Sequence, residues 1–306
     1  MAAAPSSLTA ALQEVATSVA ASAGPSITRI GRRGGRGCGI VVADGYVLTN
    51  AHNLRDRTTE VTFADGRAEQ GELTALDPDG DLAVVSVDTG EAGALTWADD
   101  LPSAGTIVFG VSRASDAGAR LTFGMVSGVE RAFRGPRGRR VTGSLEHTAP
   151  LARGSSGSAL VDEAGRLVGV NTARLGEGFY LALPADAELR DRVDALIRGE
   201  APRQLLLGVG LAPAEVAAKL RASVGLPDRV GLLVRSVEDG GAAARAGIQV
   251  GDLLTTAAGI DLARVDDLHG ALDAARVTGT LELHVVRGTE ELDVTVTFQS
   301  EPEPEG

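Results

Sequence analysis

The spacing of apolar residues changes character along the chain. Near the start, Leu8, Leu12, Val15 and Val19 recur every three or four positions, which predicts a helix with one apolar stripe and Ser7 as its N-cap. From Ser26 onward the apolar runs become short and β-branched. Residues 27–30, 39–42, 46–49, 60–63, 72–76 and 82–87 read as strands separated by turn signals such as Asp44-Gly45 and Asp65-Gly66. They predict one small barrel. A second set follows Leu101-Pro102, at 106–111, 122–130, 141–148, 159–161, 167–172 and 179–183, and predicts another. Residues 184–198 return to a helical period, with Leu189, Val193, Leu196 and Ile197 on one face and Gly199 as the stop. Gly199-Glu200-Ala201-Pro202 reads as a linker into a further domain.

Composition supports a mainly β, two-domain chain. At 306 residues, 43% of them hydrophobic, there is enough material for two separate cores. The predicted organisation is a helical segment at 1–25, a first domain at 26–198, a linker at 199–204, a second domain at 205–299 and an acidic tail at 300–306. A net charge of −12 argues against a nucleic-acid binder, because a polyanion needs a concentrated basic face. No run of about twenty apolar residues occurs, so no membrane-spanning helix is predicted. The start of the chain lacks a basic leader region, and Gln13 and Glu14 interrupt its apolar run, so the expectation is a cytoplasmic protein without a signal peptide. Cys38 is the single cysteine and rules out an intrachain disulfide. Its place in Gly37-Cys38-Gly39 reads as a buried small residue, with a reactive thiol as the alternative. No cluster of cysteines and histidines suggests a metal, and nothing implies a cofactor.

The chemistry is concentrated in Gly154-Ser155-Ser156-Gly157-Ser158. Glycines permit positive φ and bring backbone amides to one side, while small neighbours leave a serine hydroxyl uncovered. Seen alone this is equally a flexible turn between strands. Two upstream segments change that reading: a β-rich run ends at His52, and Asp81 leads into the strand that follows it. Ser156 as nucleophile, His52 as its base and Asp81 as the group that orients the imidazole supply the three roles of a serine hydrolase. The amides of Gly154 and Ser156 would form the oxyanion hole. The order His, Asp, Ser and the serine at 158 both disfavour a G-x-S-x-G elbow. His147 lies near Ser156 in sequence but sits in an alternating strand pattern, which reads as structural or exposed. Arg131, Arg134, Arg137, Arg139 and Arg140 make a basic stretch that reads as a solvated loop or as one that gates the site.

Thr49-Asn50-Ala51-His52, Asp81-Leu82-Ala83-Val84 and Gly154-Ser155-Ser156-Gly157 resemble the triad blocks of the HtrA/Deg family of trypsin-fold serine proteases. Asp44 to Thr49, Gly124 to Gly128, Gly169 to Ala173 and the segments around Tyr180 and Pro184 add to the resemblance, which covers roughly residues 26–298. It implies a chymotrypsin/trypsin-like double β-barrel followed by a PDZ domain. Leu207, Gly208, Val209 and Gly210 resemble the PDZ carboxylate-binding loop, and Leu268 and Leu272 would line the peptide groove. Ser155, Ser158 and Ala159 depart from the family's usual Asn before the nucleophile and Gly-Pro after it.

The implied activity is a serine endopeptidase acting on unfolded or flexible protein segments in protein quality control, with peptide C-termini as PDZ partners and a homotrimer as the family's assembly. Pro150 stands six residues before Ser156, where trypsin-like enzymes keep a carboxylate, so an uncharged pocket favouring small or medium aliphatic residues is expected. The alternatives are a proteolytically silent chaperone or peptide-binding adaptor on the same fold, and a small-ester hydrolase.

Overall fold

A computed structural model of the chain describes residues 7–32, 36–113, 118–134, 140–202 and 205–298. The chain divides into two compact units, 1–202 and 203–306.

The first unit opens with α1 (Leu8–Ala23), where the Ser7 hydroxyl accepts the amide of Ala10. Val19 and Ala23 are buried in the unit's main core, and Leu12 and Val15 pack partly against it. The helix therefore spends its apolar stripe on its own domain. Leu8 is the exception at 87% exposure, because it lies in the first turn, beyond the reach of that core.

Strands β1 (Ile27–Ile30), β2 (Gly37–Ala43), β3 (Tyr46–Thr49), β4 (Thr58–Thr62), β5 (Ala68–Asp77) and β6 (Leu82–Ser86) close a barrel in the order β1-β2-β3-β6-β5-β4. Strands β7 (Ile107–Ser112), β8 (Arg120–Arg134), β9 (Arg140–His147), β10 (Ala159–Val161), β11 (Leu167–Arg174) and β12 (Tyr180–Pro184) close the second in the order β10-β11-β12-β9-β8-β7. Closure leaves neither sheet with an unpaired edge. One apolar cluster joins Ile27, Ile40 and Leu48 of the first barrel to Phe109, Leu167 and Val170 of the second. The two barrels thus share a core at their seam. Helix α2 (Ala187–Ile197), capped by Asp186, adds Leu189, Val193 and Leu196 to the same cluster.

The basic stretch differs from the expected loop. Arg131 and Arg134 lie within β8 and Arg140 begins β9, while residues 135–139, including Arg137 and Arg139, fall outside the described residues. The reason is the register: Phe133 pairs with Val141, and both pack partly on the main core, which draws the hairpin outward along the barrel.

The second unit contains β13 (Val209–Ala212), α3 (Ala214–Ser223), β14 (Leu232–Val237), α4 (Ala242–Arg245), β15 (Leu253–Ala257), β16 (Ile260–Asp261), α5 (Val265–Thr278), β17 (Thr280–Arg287) and β18 (Glu290–Thr297). The sheet runs β13-β14-β15-β17-β18, with β16 paired to β15, so β13 is an edge strand. Helix α5 closes with Gly279 at φ +69°, a left-handed cap that glycine adopts without strain. Leu268 and Leu272 on α5 are buried in the core of this unit and present no open wall.

The burial of α1 makes a paired prediction. Val19→Ala should lower unfolding free energy by on the order of 2 kcal/mol, whereas Leu8→Ala should stay within about 0.5 kcal/mol of the parent. Denaturant titrations of both variants check this; equal effects would mean that the helix is not docked as described.

Candidate active site

His52 sits in a single 3-10 turn (Ala51–Asn53) that ends β3, and Asp81 immediately precedes β6, the neighbour of β3 in the barrel. Adjacent strands therefore deliver the two side chains to the same end of the sheet. Asp81 adopts φ +55°, a left-handed conformation that few residues other than glycine tolerate, aspartate being one of them. It is held there from several sides. Its backbone carbonyl accepts the Ala51 amide at 3.1 Å and the Asn50 side chain at 3.0 Å. Its carboxylate faces His52 Nδ1 at 2.9 and 2.8 Å and accepts the His52 amide at 3.1 Å and the Thr172 hydroxyl at 2.8 Å. Since a carboxylate can only accept, Nδ1 must carry a proton, and in the neutral ring Nε2 is then left with its lone pair free.

The turn before Asp81 is fixed by Asp77, which is buried, accepts the Gly80 amide at 3.0 Å and pairs with the Arg192 guanidinium of α2. A Cβ at Gly80 would meet that guanidinium and the Asp77 carboxylate, so a larger residue there would have to displace the ion pair.

Ser156 is presented by the turn between the cavity wall and β10. Gly154 and Gly157 both take φ +83°. Gly157 also packs against the Cys38 carbonyl, where a Cβ would clash with backbone. The Ser156 carbonyl accepts the Cys38 amide at 2.8 Å and the Asn53 side chain at 2.9 Å, so the turn of the second barrel is fastened to the first. Cys38 makes a second contact with it, its thiol donating to the Gly154 carbonyl at 3.4 Å. Within the turn, the amides of Ser155, Gly157 and Ser158 bond to Ala152, Asn171 and Ser155 carbonyls. Among the described residues the amides of Gly154 and Ser156 take no part in such backbone bonds.

The Ser156 hydroxyl donates to the Thr172 carbonyl at 3.1 Å. Among the described residues it makes no hydrogen bond to His52. Thr172 thus touches two of the three groups, Ser156 through its carbonyl and Asp81 through its hydroxyl. From the sequence Thr172 reads only as the end of a strand at 167–172, and Asn53 draws no reading at all. Neither carries a sequence signal beyond its neighbourhood.

A cavity of about 230 Å³ opens beside Ser156, with Leu151, Ala152, Ala173 and Tyr180 among its walls. Pro150 is exposed and does not line it, so the expectation built on that residue fails in detail. The absent carboxylate holds among the described lining residues, but the cavity is not uncharged: Arg153 and Arg174 line it.

His147 is fully buried in β9, its Nε2 facing Asn171 Oδ1 at 2.9 Å, and Asn171 in turn donates to Ser158 at 3.0 Å. Its ring stacks on Tyr180 at 5.8 Å. Burial pushes its pKa down to about 4, so the ring is neutral and serves to support the cavity. Burial likewise pushes the Cys38 thiol up to about 11, which fits the reading of a buried small residue and not a reactive thiol.

In the second unit, Leu207 and Gly208 form the approach to β13; their carbonyls accept the amides of Ala243 at 2.9 Å and Glu238 at 2.8 Å. Gly208 has φ +75°. Val209 and Gly210 pair with Val237 and Ser236 of β14, and among the described residues no strand pairs with the other edge of β13, the edge to which a peptide strand could add. Among the described residues no group of three His, Cys, Asp or Glu side chains is placed to hold a metal ion, and no helix is long and apolar enough to cross a membrane.

Comparison with known proteins follows the same division. Residues 37–170 match the family model of a trypsin-like peptidase domain, and residues 206–298 match that of a PDZ domain. The chain is 30% identical over 272 residues to a probable periplasmic serine endoprotease DegP-like of Pseudomonas fluorescens, covering 86% of this chain and 56% of that one. It is 28% identical over 293 residues to Protease Do-like 1, chloroplastic, of Arabidopsis thaliana, covering 88% and 64%. The chain therefore spans between about half and two thirds of the length of these relatives. Among solved structures, the serine endoprotease from Yersinia pestis aligns with a TM-score of 0.69 at 25% identity, covering 92% of this chain and 96% of that one. The HtrA-type protease AlgW with decapeptide aligns at 0.72 and 23% identity, covering 94% and 99%.

The buried histidine makes stability depend on pH in a defined window. Between pH 6.5 and about 4 the unfolded chain binds a proton at His147 that the folded chain refuses. Stability from this group should therefore be complete above pH 6.5 and fall as pH drops toward 4, by on the order of 3 kcal/mol in all. Urea titrations across that range should show the slope in the parent and a shallower one in His147→Gln; identical slopes would refute the assignment.

Proposed function

The chain belongs to the HtrA/Deg family, in which a trypsin-like peptidase domain precedes a PDZ domain, and on that premise we propose that it is a serine endopeptidase using Ser156, His52 and Asp81. The observation that carries the proposal is the position of Thr172, which donates to the Asp81 carboxylate and accepts from the Ser156 hydroxyl. One strand residue thus brings the nucleophile to the same place as the Asp81–His52 pair.

In this reading the Ser156 hydroxyl, donated at rest to Thr172, swings about its Cα–Cβ bond toward Nε2 when a peptide enters. The free lone pair of Nε2 takes the proton as Oγ attacks the scissile carbonyl, and the imidazolium later returns it to the leaving amine. Asp81 balances the positive charge that forms on the ring. The Gly154 and Ser156 amides take up the oxyanion, each worth roughly 3 kcal/mol in such sites. Substrates are unfolded or flexible segments, since a long extended stretch must reach the cleft, and the Leu151, Ala152 and Ala173 walls of the cavity suit small or medium apolar side chains. The open edge of β13 and the loop at 207–210 bind peptide C-termini for recruitment or regulation, which gives the protein a part in protein quality control.

Reaction of the purified chain with a fluorophosphonate tests this. Labelling that disappears in Ser156→Ala, together with degradation of unfolded casein by the parent alone, is the expected result. No labelling, with or without a C-terminal peptide added, would leave a peptide-binding protein without hydrolase activity.

A further inference from the structure

The cavity beside Ser156 carries two positive charges that neither the nucleophile nor its turn requires. Arg153 directly precedes Gly154, and Arg174 ends β11; both are exposed, and both line the cavity. Arg174 is held at the wall: its Nε donates to the Gly176 carbonyl at 2.8 Å, and its guanidinium carbon lies 5.8 Å from the centre of the Tyr180 ring. Among the described residues its other N–H groups make no hydrogen bond and so stay available to a ligand. Neither arginine forms an ion pair among the described residues. No aspartate or glutamate is found among the lining residues. In a chain of net charge −12 this is a local inversion of the surface charge, placed where a substrate must sit.

We infer that the cavity selects polypeptide segments bearing an acidic side chain at the residue that supplies the scissile carbonyl or at its immediate neighbours. The inference rests on the peptidase reading and revises its preference at this cavity from small or medium apolar side chains to acidic ones, because Arg153 and Arg174 line it beside Leu151, Ala152 and Ala173. The geometry suits a glutamate: its methylenes can lie along Leu151, Ala152 and Ala173, while its carboxylate meets the guanidinium groups at the rim. Apolar walls reduce the competing solvation of the carboxylate. Because both arginines are exposed, the preference is modest and sensitive to salt.

Binding separates this inference from catalysis. The full-length Ser156→Ala chain is titrated with fluorescent peptides that differ only in Glu, Gln or Lys at the scissile residue or beside it. Each peptide is amidated at its C-terminus so that the loop at 207–210 has no carboxylate to capture. The Glu peptide should bind about fivefold more tightly than the Gln peptide at low ionic strength, with Lys weakest and the gap narrowing as salt is added. Adding Arg153→Gln and Arg174→Gln should bring the Glu-to-Gln ratio close to one. Replacing both with glutamate should make the Lys peptide the preferred one, which guards against a variant that merely loosens the cavity. Equal binding of Glu and Gln peptides, or a ratio that survives both substitutions, would overturn the inference. Failure of the parent chain to react with fluorophosphonate would instead overturn the peptidase reading, and leaves the binding ratio to be judged by itself.

Discussion

The structure depends on one buried carboxylate. Asp81 serves both barrels at once, accepting from His52 on the first and from Thr172 on the second. A carboxylate removed from water is stabilising only when its oxygens are satisfied, and here they are met by an imidazole N–H, a backbone amide and a hydroxyl. The unusual φ at Asp81 follows from that requirement. Only a left-handed turn between Gly80 and β6 lets the backbone carbonyl reach the 50–51 segment while the side chain reaches His52. The ion pair between Asp77 and Arg192 braces that turn from α2, so even the helix that closes the first unit bears on the imidazole's orientation.

A second constraint is how closely the barrels approach. The Ser156 carbonyl is bonded to Cys38 and Asn53, and Gly157 lies on the Cys38 carbonyl without room for a methyl group. The nucleophile turn is therefore positioned by the opposite barrel as much as by its own strand. Thr49 extends the fastening, its hydroxyl donating to the Cys38 carbonyl at 2.6 Å. Burial of Cys38, which raises its thiol pKa, is a by-product of the same packing. His147 extends the support from behind, through Asn171 to Ser158.

How much of this was legible in the sequence depended on what kind of signal each residue leaves. His52, Asp81 and Ser156 were readable because each stands at the end of a strand pattern or in a glycine-rich turn, and their order restricts the alternatives. The strands were readable as apolar runs, but β5 extends back to Ala68 through polar residues because ladder hydrogen bonds to β4 need no apolar side chains. Strand β8 extends past its predicted end for a different reason, the pairing of Phe133 with Val141 on the main core, and so takes in Arg131 and Arg134. Helix α3 was not anticipated: only Ala217 and Arg221 of it are buried, so its period is faint. Thr172 and Asn53 act through contacts distant in sequence, which periodicity cannot reveal. Pro150 illustrates the converse, since a position fixed by counting from Ser156 proved to lie on the surface and not in the cavity.

The central claim is that Asp81 fixes the imidazole of His52 with its proton on Nδ1 and its lone pair on Nε2. Nitrogen NMR of histidine-labelled protein, with His52 assigned by substitution, measures this directly at a pH where the ring is neutral. The account predicts a protonated Nδ1 and a bare Nε2 in the parent, and loss of that tautomer's dominance in Asp81→Asn. A neutral His52 protonated on Nε2 in the parent would contradict it, because such a ring could neither donate to Asp81 nor accept the Ser156 proton.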